Sequence, residues 1–141
     1  MATILTQTEL LNIHNAFHQG QYQKVVDFDT AALSSNNTLA ARVLQLRAQI
    51  ELGQSEDVLA DVEGEEDEPD LAAIKAYALY ESGKQLEGLK QAEGLAASSG
   101  ENGTVQVLAG TVLQAAGKSE EALALLTKHQ GNLEAFVPTM I

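Results

Sequence analysis

The chain has 141 residues and a net charge of −12; it is 45% hydrophobic, only 4% aromatic, and free of cysteine. That length suits one domain or one short array of repeats, and the missing cysteine excludes a disulfide framework, thiolate zinc sites and a cysteine nucleophile. Eight basic residues without a cluster argue against generic nucleic-acid binding and against polybasic docking on an anionic membrane.

Alanine and leucine supply much of the apolar content, and no long Val/Ile/Thr run alternates in polarity, so the expected fold class is all-α. In chain order, the first two helices cover residues 8–18 and 21–33. Leu10, Ile13, Ala16 and Phe17 recur at steps of three and four, and Tyr22, Val25, Val26 and Leu33 keep a similar rhythm, with Asp29 the polar exception. Ser34-Ser35-Asn36-Asn37-Thr38 reads as a loop of capping residues. The third helix, residues 39–52, carries Ala40, Val43, Leu44, Leu46, Ala48 and Ile50. The fourth has Ser55 as N-cap, Glu56 and Asp57 where the helix dipole favours negative charge, and a short apolar face of Val58, Leu59 and Val62.

Pro69 suits the first turn of the fifth helix, where its missing N–H is not needed; Leu71, Ala72, Ile74, Ala76, Ala78 and Leu79 follow as its apolar positions. The sixth helix, residues 85–97, contains Gly88 and Gly94. Each glycine costs about 1 kcal/mol relative to alanine in an exposed helix, so close packing is expected at both. The seventh, residues 102–116, contains Gly110. The eighth has Ser119 as N-cap, Glu120 and Glu121 in its first turn, and Ala122, Leu123, Leu125 and Leu126 as its face. A ninth begins at Asn132-Leu133-Glu134-Ala135 and is stopped by Pro138, which reads as a repeat cut short. On that reading Leu125, Leu126 and Phe136 lie open at the end of the array and favour self-association. The N-terminus lacks the basic and apolar regions of a secretory signal, and no apolar run approaches the roughly 20 residues that cross a bilayer. The chain thus reads as soluble and cytoplasmic.

Gly20, Gly53, Gly83 and Gly117 each follow a helix-like segment and precede another, at spacings of 33, 30 and 34 residues. This period marks a solenoid of helical hairpins, in which each hairpin buries its apolar face against its neighbours. Gly117-Lys118-Ser119-Glu120-Glu121-Ala122-Leu123 resembles a tetratricopeptide (TPR) repeat. Val25, Val58 and Gly88 occupy the alanine position elsewhere, and no Trp or Pro completes the consensus. The expected architecture is a right-handed solenoid of about four TPR-like hairpins forming one domain, with repeats over 8–35, 38–64, 69–98 and 102–130 and a truncated start over 131–141.

A closer resemblance lies in the order of the blocks. Asn15-Ala16-Phe17-His18-Gln19-Gly20-Gln21-Tyr22-Gln23-Lys24-Val25-Val26 resembles the first repeat of the coatomer epsilon subunit family, which opens with N-A-F-x-x-G-x-Y-Q. Arg47-Ala48-Gln49-Ile50-Glu51-Leu52-Gly53 resembles the second, with Gln49 in place of the usual aromatic. Asp57-Val58-Leu59-Ala60-Asp61-Val62 resembles the following helix, and Leu133-Glu134-Ala135 a later repeat start; Ala135-Phe136-Val137-Pro138 departs from the pattern. The resemblance covers nearly all of this chain and about the first half of such a subunit. It implies a non-catalytic coat subunit that binds the C-terminal domain of the alpha subunit, contacts the membrane only through the coat, and serves Golgi-to-endoplasmic-reticulum retrograde traffic on Golgi and vesicle membranes.

Helical-repeat arrays bind through a groove lined by the first helix of each hairpin. Aligning the corner glycines assigns Gln7, Leu10, His14, Phe17 and His18 to that groove in the first repeat, and Ala40, Val43, Arg47, Ile50 and Glu51 in the second. Asp70, Ala73, Tyr77, Tyr80 and Glu81 follow in the third, then Thr104, Val107, Thr111, Gln114 and Ala115 in the fourth. Aromatics and aliphatics with one arginine suit an apolar grip on a partner. A generic peptide-capturing adaptor or co-chaperone, the alternative reading, needs more Lys and Arg there. Phe17, Tyr77 and Tyr80 equally suit the core between repeats.

His14 and His18 share a helix face, but no Cys or H-E-x-x-H pattern supplies further zinc ligands. The seven carboxylates between Asp61 and Asp70 lack calcium-loop spacing, and read as a solvated loop. Gly117-Lys118-Ser119 lacks the complete phosphate-loop spacing. No cofactor, metal or nucleophile–base set is expected, and the chain does not read as an enzyme.

Overall fold

The computed structural model describes residues 2–31 and 33–127, with residues 2–9 and Asn36 described by their backbone alone. Every regular element among them is helical, in accord with the all-α expectation. The helices are α1 (Ala2–His18), α2 (Tyr22–Val26), α3 (Ser35–Glu51), α4 (Ser55–Asp61), α5 (Pro69–Glu81), α6 (Gln85–Ser98), α7 (Gly103–Ala115) and α8 (Ser119–Thr127). They group into two compact units, α1–α3 and α4–α8, divided between Gln54 and Ser55. The expected ninth helix, together with Phe136, lies outside the described residues.

The four glycines turn the chain in one and the same way. Gly20, Gly53, Gly83 and Gly117 have φ of 78°, 83°, 102° and 83°, in the left-handed region where a Cβ is strained. Each glycine N–H donates to the carbonyl three residues back: Phe17, Ile50, Tyr80 and Gln114, at 3.0 to 3.3 Å. The next N–H donates five residues back, from Gln21, Gln54, Lys84 and Lys118 to Ala16, Gln49, Leu79 and Leu113, at 2.8 to 2.9 Å. This pair of bonds is the Schellman closure, which satisfies carbonyls left open at a helix end. The next helix begins two residues after each glycine, at Tyr22, Ser55, Gln85 and Ser119. Ser55 and Ser119 are therefore first helical residues and not the N-caps expected from sequence. The closure already turns Gln54 and Lys118 into the cap position, so the helix resumes one residue sooner.

In the first unit, Ile13, Ala16, Phe17, Val25, Ala41, Leu44 and Ala48 form the buried core, with Leu10, Tyr22, Val26, Phe28 and Leu33 packed around it. The helix expected over 21–33 ends at Val26. Gln45 on α3 explains this, since its amide donates to the carbonyls of Val25 (3.3 Å), Val26 (3.3 Å) and Phe28 (3.0 Å). A side chain from another helix thus takes over acceptors that a longer α2 would have used. Asp29 is a turn residue, its Oδ1 accepting the Ala31 N–H at 3.0 Å. The loop expected at 34–38 is instead the first turn of α3, where Thr38 Oγ1 donates to the Ser35 carbonyl at 2.9 Å.

In the second unit, α5 packs against α4, α6 and α7, and α7 also packs against α6 and α8. Pro69 opens α5 as expected, and that helix buries Leu71, Ala72, Ala73, Ile74, Ala76, Ala78 and Leu79. Its alanines let α6 approach closely. A Cβ built on Gly88 would lie 2.8 Å from both the Ala76 carbonyl oxygen and the Tyr80 nitrogen. The close packing expected at Gly88 is thus found; Gly94 is different, since a Cβ there meets nothing within 4 Å. Leu123, assigned to the buried face of α8, is 60% exposed. The buried stripe is Ala122, Leu125 and Leu126, spaced i, i+3 and i+4, and position 123 falls outside it. Leu125 and Leu126, expected to lie open, are buried.

Candidate functional site

The residues assigned to a groove divide into covered and accessible ones, within each unit by itself. In the first unit Phe17, Val43 and Ile50 are buried, while Leu10, His14 and Arg47 are half-buried. Phe17 is a hub. The Arg47 guanidinium carbon stands 4.5 Å above its ring centroid, the His18 ring meets it edge-on at 5.5 Å, and the Tyr22 ring at 5.5 Å with planes at 66°. A cation over an aromatic face contributes about 0.5–1 kcal/mol at exposed sites and about 2 when desolvated. The His14 and His18 rings stack nearly parallel, 9° apart at 6.1 Å between centroids. The i, i+4 spacing does put them on one face, as expected. Arg47 thus lies against the protein's own aromatic ring.

In the second unit Val107 is buried, Tyr77, Tyr80 and Thr111 are half-buried, and Gln114 is exposed. Thr111 Oγ1 donates to the Val107 carbonyl one turn back at 2.6 Å, so its hydroxyl is satisfied within its own helix.

Beside these positions lies a polar clamp that sequence reasoning missed. One Asp70 carboxylate oxygen accepts from Asn102 Nδ2 at 2.9 Å, and the other from Thr104 Oγ1 at 2.6 Å. Asn102 meanwhile caps α7, its Oδ1 accepting the Val105 N–H at 3.0 Å. The first turns of α5 and α7 are therefore tied side by side. A signal was present: Asp70 and Thr104 stand 34 residues apart at the same repeat position, one an acceptor and one a donor. Nearby, Gln106 is fully buried and its Nε2 donates to the Gly100 carbonyl at 2.9 Å, holding the turn that leads into α7.

In the acidic segment Lys75 Nζ pairs with Glu66 Oε1 at 3.0 Å. The hydrogen bond from Lys75 holds the exposed Glu66 carboxyl below its usual range, with backbone hydrogen bonds acting in the same direction. Among the described residues no three His, Cys, Asp or Glu side chains converge as a metal-ligand set. Within each unit the accessible candidate positions are apolar, aromatic or hydrogen-bonding in character.

The family model described as coatomer epsilon subunit matches residues 6–140, a span that includes both units. The chain belongs to the coatomer epsilon subunit family. No curated protein and no solved structure matches it. The epsilon family is a structural component of a vesicle coat, and membership implies association with other coatomer subunits. Among the described residues, no helix is long and apolar enough to cross a membrane. The Asn15-to-Val26 block that resembled the family in sequence forms the end of α1, the first glycine corner and all of α2.

Proposed function

We propose that this chain is a non-catalytic, cytoplasmic subunit of coatomer that holds the C-terminal domain of the alpha subunit, and so serves retrograde transport from the Golgi to the endoplasmic reticulum. In this reading the hairpins are repeats of one right-handed TPR-like solenoid, and the membrane is reached only through the coat. The family match over residues 6–140 carries the proposal. The identical Schellman closure at four corners supports the repeat reading, and the half-buried Leu10, His14, Tyr77, Tyr80 and Thr111 with exposed Gln114 supply the accessible contact positions. Buried Phe17, Val43, Ile50 and Val107 act by shaping the helices that present them.

The test is a titration of the chain, with the purified C-terminal domain of an alpha coatomer subunit, followed by calorimetry. Saturable binding is expected, weakened at least tenfold by Tyr77→Ala with Tyr80→Ala. Absence of binding at tens of micromolar sinks the proposal. The peptide-capturing adaptor reading draws no support from the structure, because Arg47 is stacked on Phe17.

A further inference from the structure

A second surface, within the second unit, is lined by none of the assigned groove positions. Its lining comes from α6 (Glu93, Ala96, Ala97), α7 (Leu113) and α8 (Glu121, Ala124, Leu125), which enclose a cleft of about 310 Å³. Leu113 and Leu125 are each only 1% exposed, so they form its floor. The walls are open because α6 and α8 present alanines to the gap, and methyl groups do not fill it. Two carboxylates, Glu93 and Glu121, stand among its lining residues, which include no Lys or Arg.

We propose that this cleft is a docking site for an amphipathic helix of another protein, whose aliphatic side chains enter between α6 and α8 and whose Lys or Arg residues meet Glu93 and Glu121. Three observations fix that occupant. The volume is at the lower limit of small-molecule pockets, roughly 300–1,000 Å³. Its lining side chains carry no hydroxyl or amide group to orient a small ligand. A shallow apolar trough between two helices instead matches the recognition of a helix by its i, i+3 or i+4 and i+7 anchors. Charge decides against a second copy of this chain, because its net charge of −12 sets like against like at the two carboxylates. The stripe continues along α6: Leu86 is 70% exposed and stands seven residues before Glu93. That is two turns, about 10.5 Å along the same face, which matches the span of an i and i+7 anchor pair.

None of its lining residues is a groove position assigned above, so its fate is separable from that of the alpha-subunit grip. The probe is a synthetic 18-residue helical peptide with leucines at i, i+4 and i+7 flanked by lysines, titrated into the isotope-labelled full chain and followed by amide shifts. Saturable shifts are expected on α6 and α8, at an affinity reduced at least tenfold by Ala97→Trp with Ala124→Trp. The charge-reversed pair Glu93→Lys with Glu121→Lys should also weaken the lysine peptide tenfold and gain binding of its glutamate counterpart. Equal binding by all variants, or no shifts up to 1 mM peptide, overturns the proposal. So does concentration-dependent dimerisation of the chain that the tryptophan pair abolishes, since the occupant is then a second copy. Folding of both variants is checked by far-ultraviolet circular dichroism, and the surface-only charge reversal decides if the tryptophan pair is misfolded.

Discussion

The two units solve one problem, holding helices together, with opposite materials. The first fills its interior with rings: Phe17, Tyr22 and Phe28 join aliphatic residues around Ile13, Arg47 covers Phe17, and Gln45 plugs the open end of α2. The second removes bulk. Alanines on α5 and a glycine on α6 bring backbone almost against backbone, and a half-buried carboxylate clamp and a buried glutamine handle the polar ends. Ring-filled interfaces are spaced widely and fail by leaving a hole. Interfaces of small residues fail by collision, since added atoms have nowhere to go.

Substitutions of opposite kind should break each unit. The largest effect is expected for Phe17→Ala, which empties the centre of the ring cluster and removes the ring beneath Arg47; a loss of about 3–5 kcal/mol is usual for a buried Phe truncation. Chemical denaturation with probes in both units measures it, and an equal loss from Phe17→Leu would contradict the cavity argument. Next comes Gly88→Ala. Its methyl group would sit 2.8 Å from backbone atoms of α5, a collision expected to cost about 1–3 kcal/mol. Gly94→Ala, only six residues on, should act in reverse and stabilise by up to about 1 kcal/mol, because nothing stands near its Cβ. Melting curves of the two variants should therefore move in opposite directions.

Asp70→Ala is expected to cost roughly 1.5–3 kcal/mol, the usual worth of hydrogen bonds to a charged group. Thr104→Val should lose less, since Asn102 keeps its bond; matched denaturation curves check that order. The smallest effect lies at Glu66. Its carboxyl is lowered in the folded state by Lys75, so the pair helps stability above the ordinary glutamate value of about 4.3. That help is lost as pH falls through the lowered folded value. The melting-temperature gap between the native chain and Lys75→Met should be small at pH 7, shrink with added salt, and shrink again as acidification carries the carboxyl through its lowered value.

How much of this was legible beforehand follows the range over which each feature is determined. The glycine corners were readable because a left-handed residue and two bonds within six residues define them. Pro69 and the acidic first turns were readable for the same local reason. The early end of α2 was not, because Gln45, about 20 residues away, satisfies its carbonyls. Gly88 and Gly94 look alike in sequence; only the position of α5 separates them. At the candidate surface, repeat alignment found helix positions but could not tell Phe17 as a hub from Tyr77 as a half-exposed side chain. It also passed over Asp70 and Thr104 as a pair, since each was read as a contact for a partner and not for the other.

The corner closures carry a consequence for how the chain acquires its shape. Each one forms from a single stretch of six residues, so no distant segment must first be found and no long loop closed. Helix pairs next to one another in sequence then meet first, a regime in which helical proteins fold within microseconds to milliseconds. A nascent chain can accordingly set each bend while the following hairpin is still being synthesised. Rapid-mixing refolding checks this: replacing Gly83 by alanine should slow closure of the α5–α6 hairpin while leaving formation of the α1–α3 unit at its native rate.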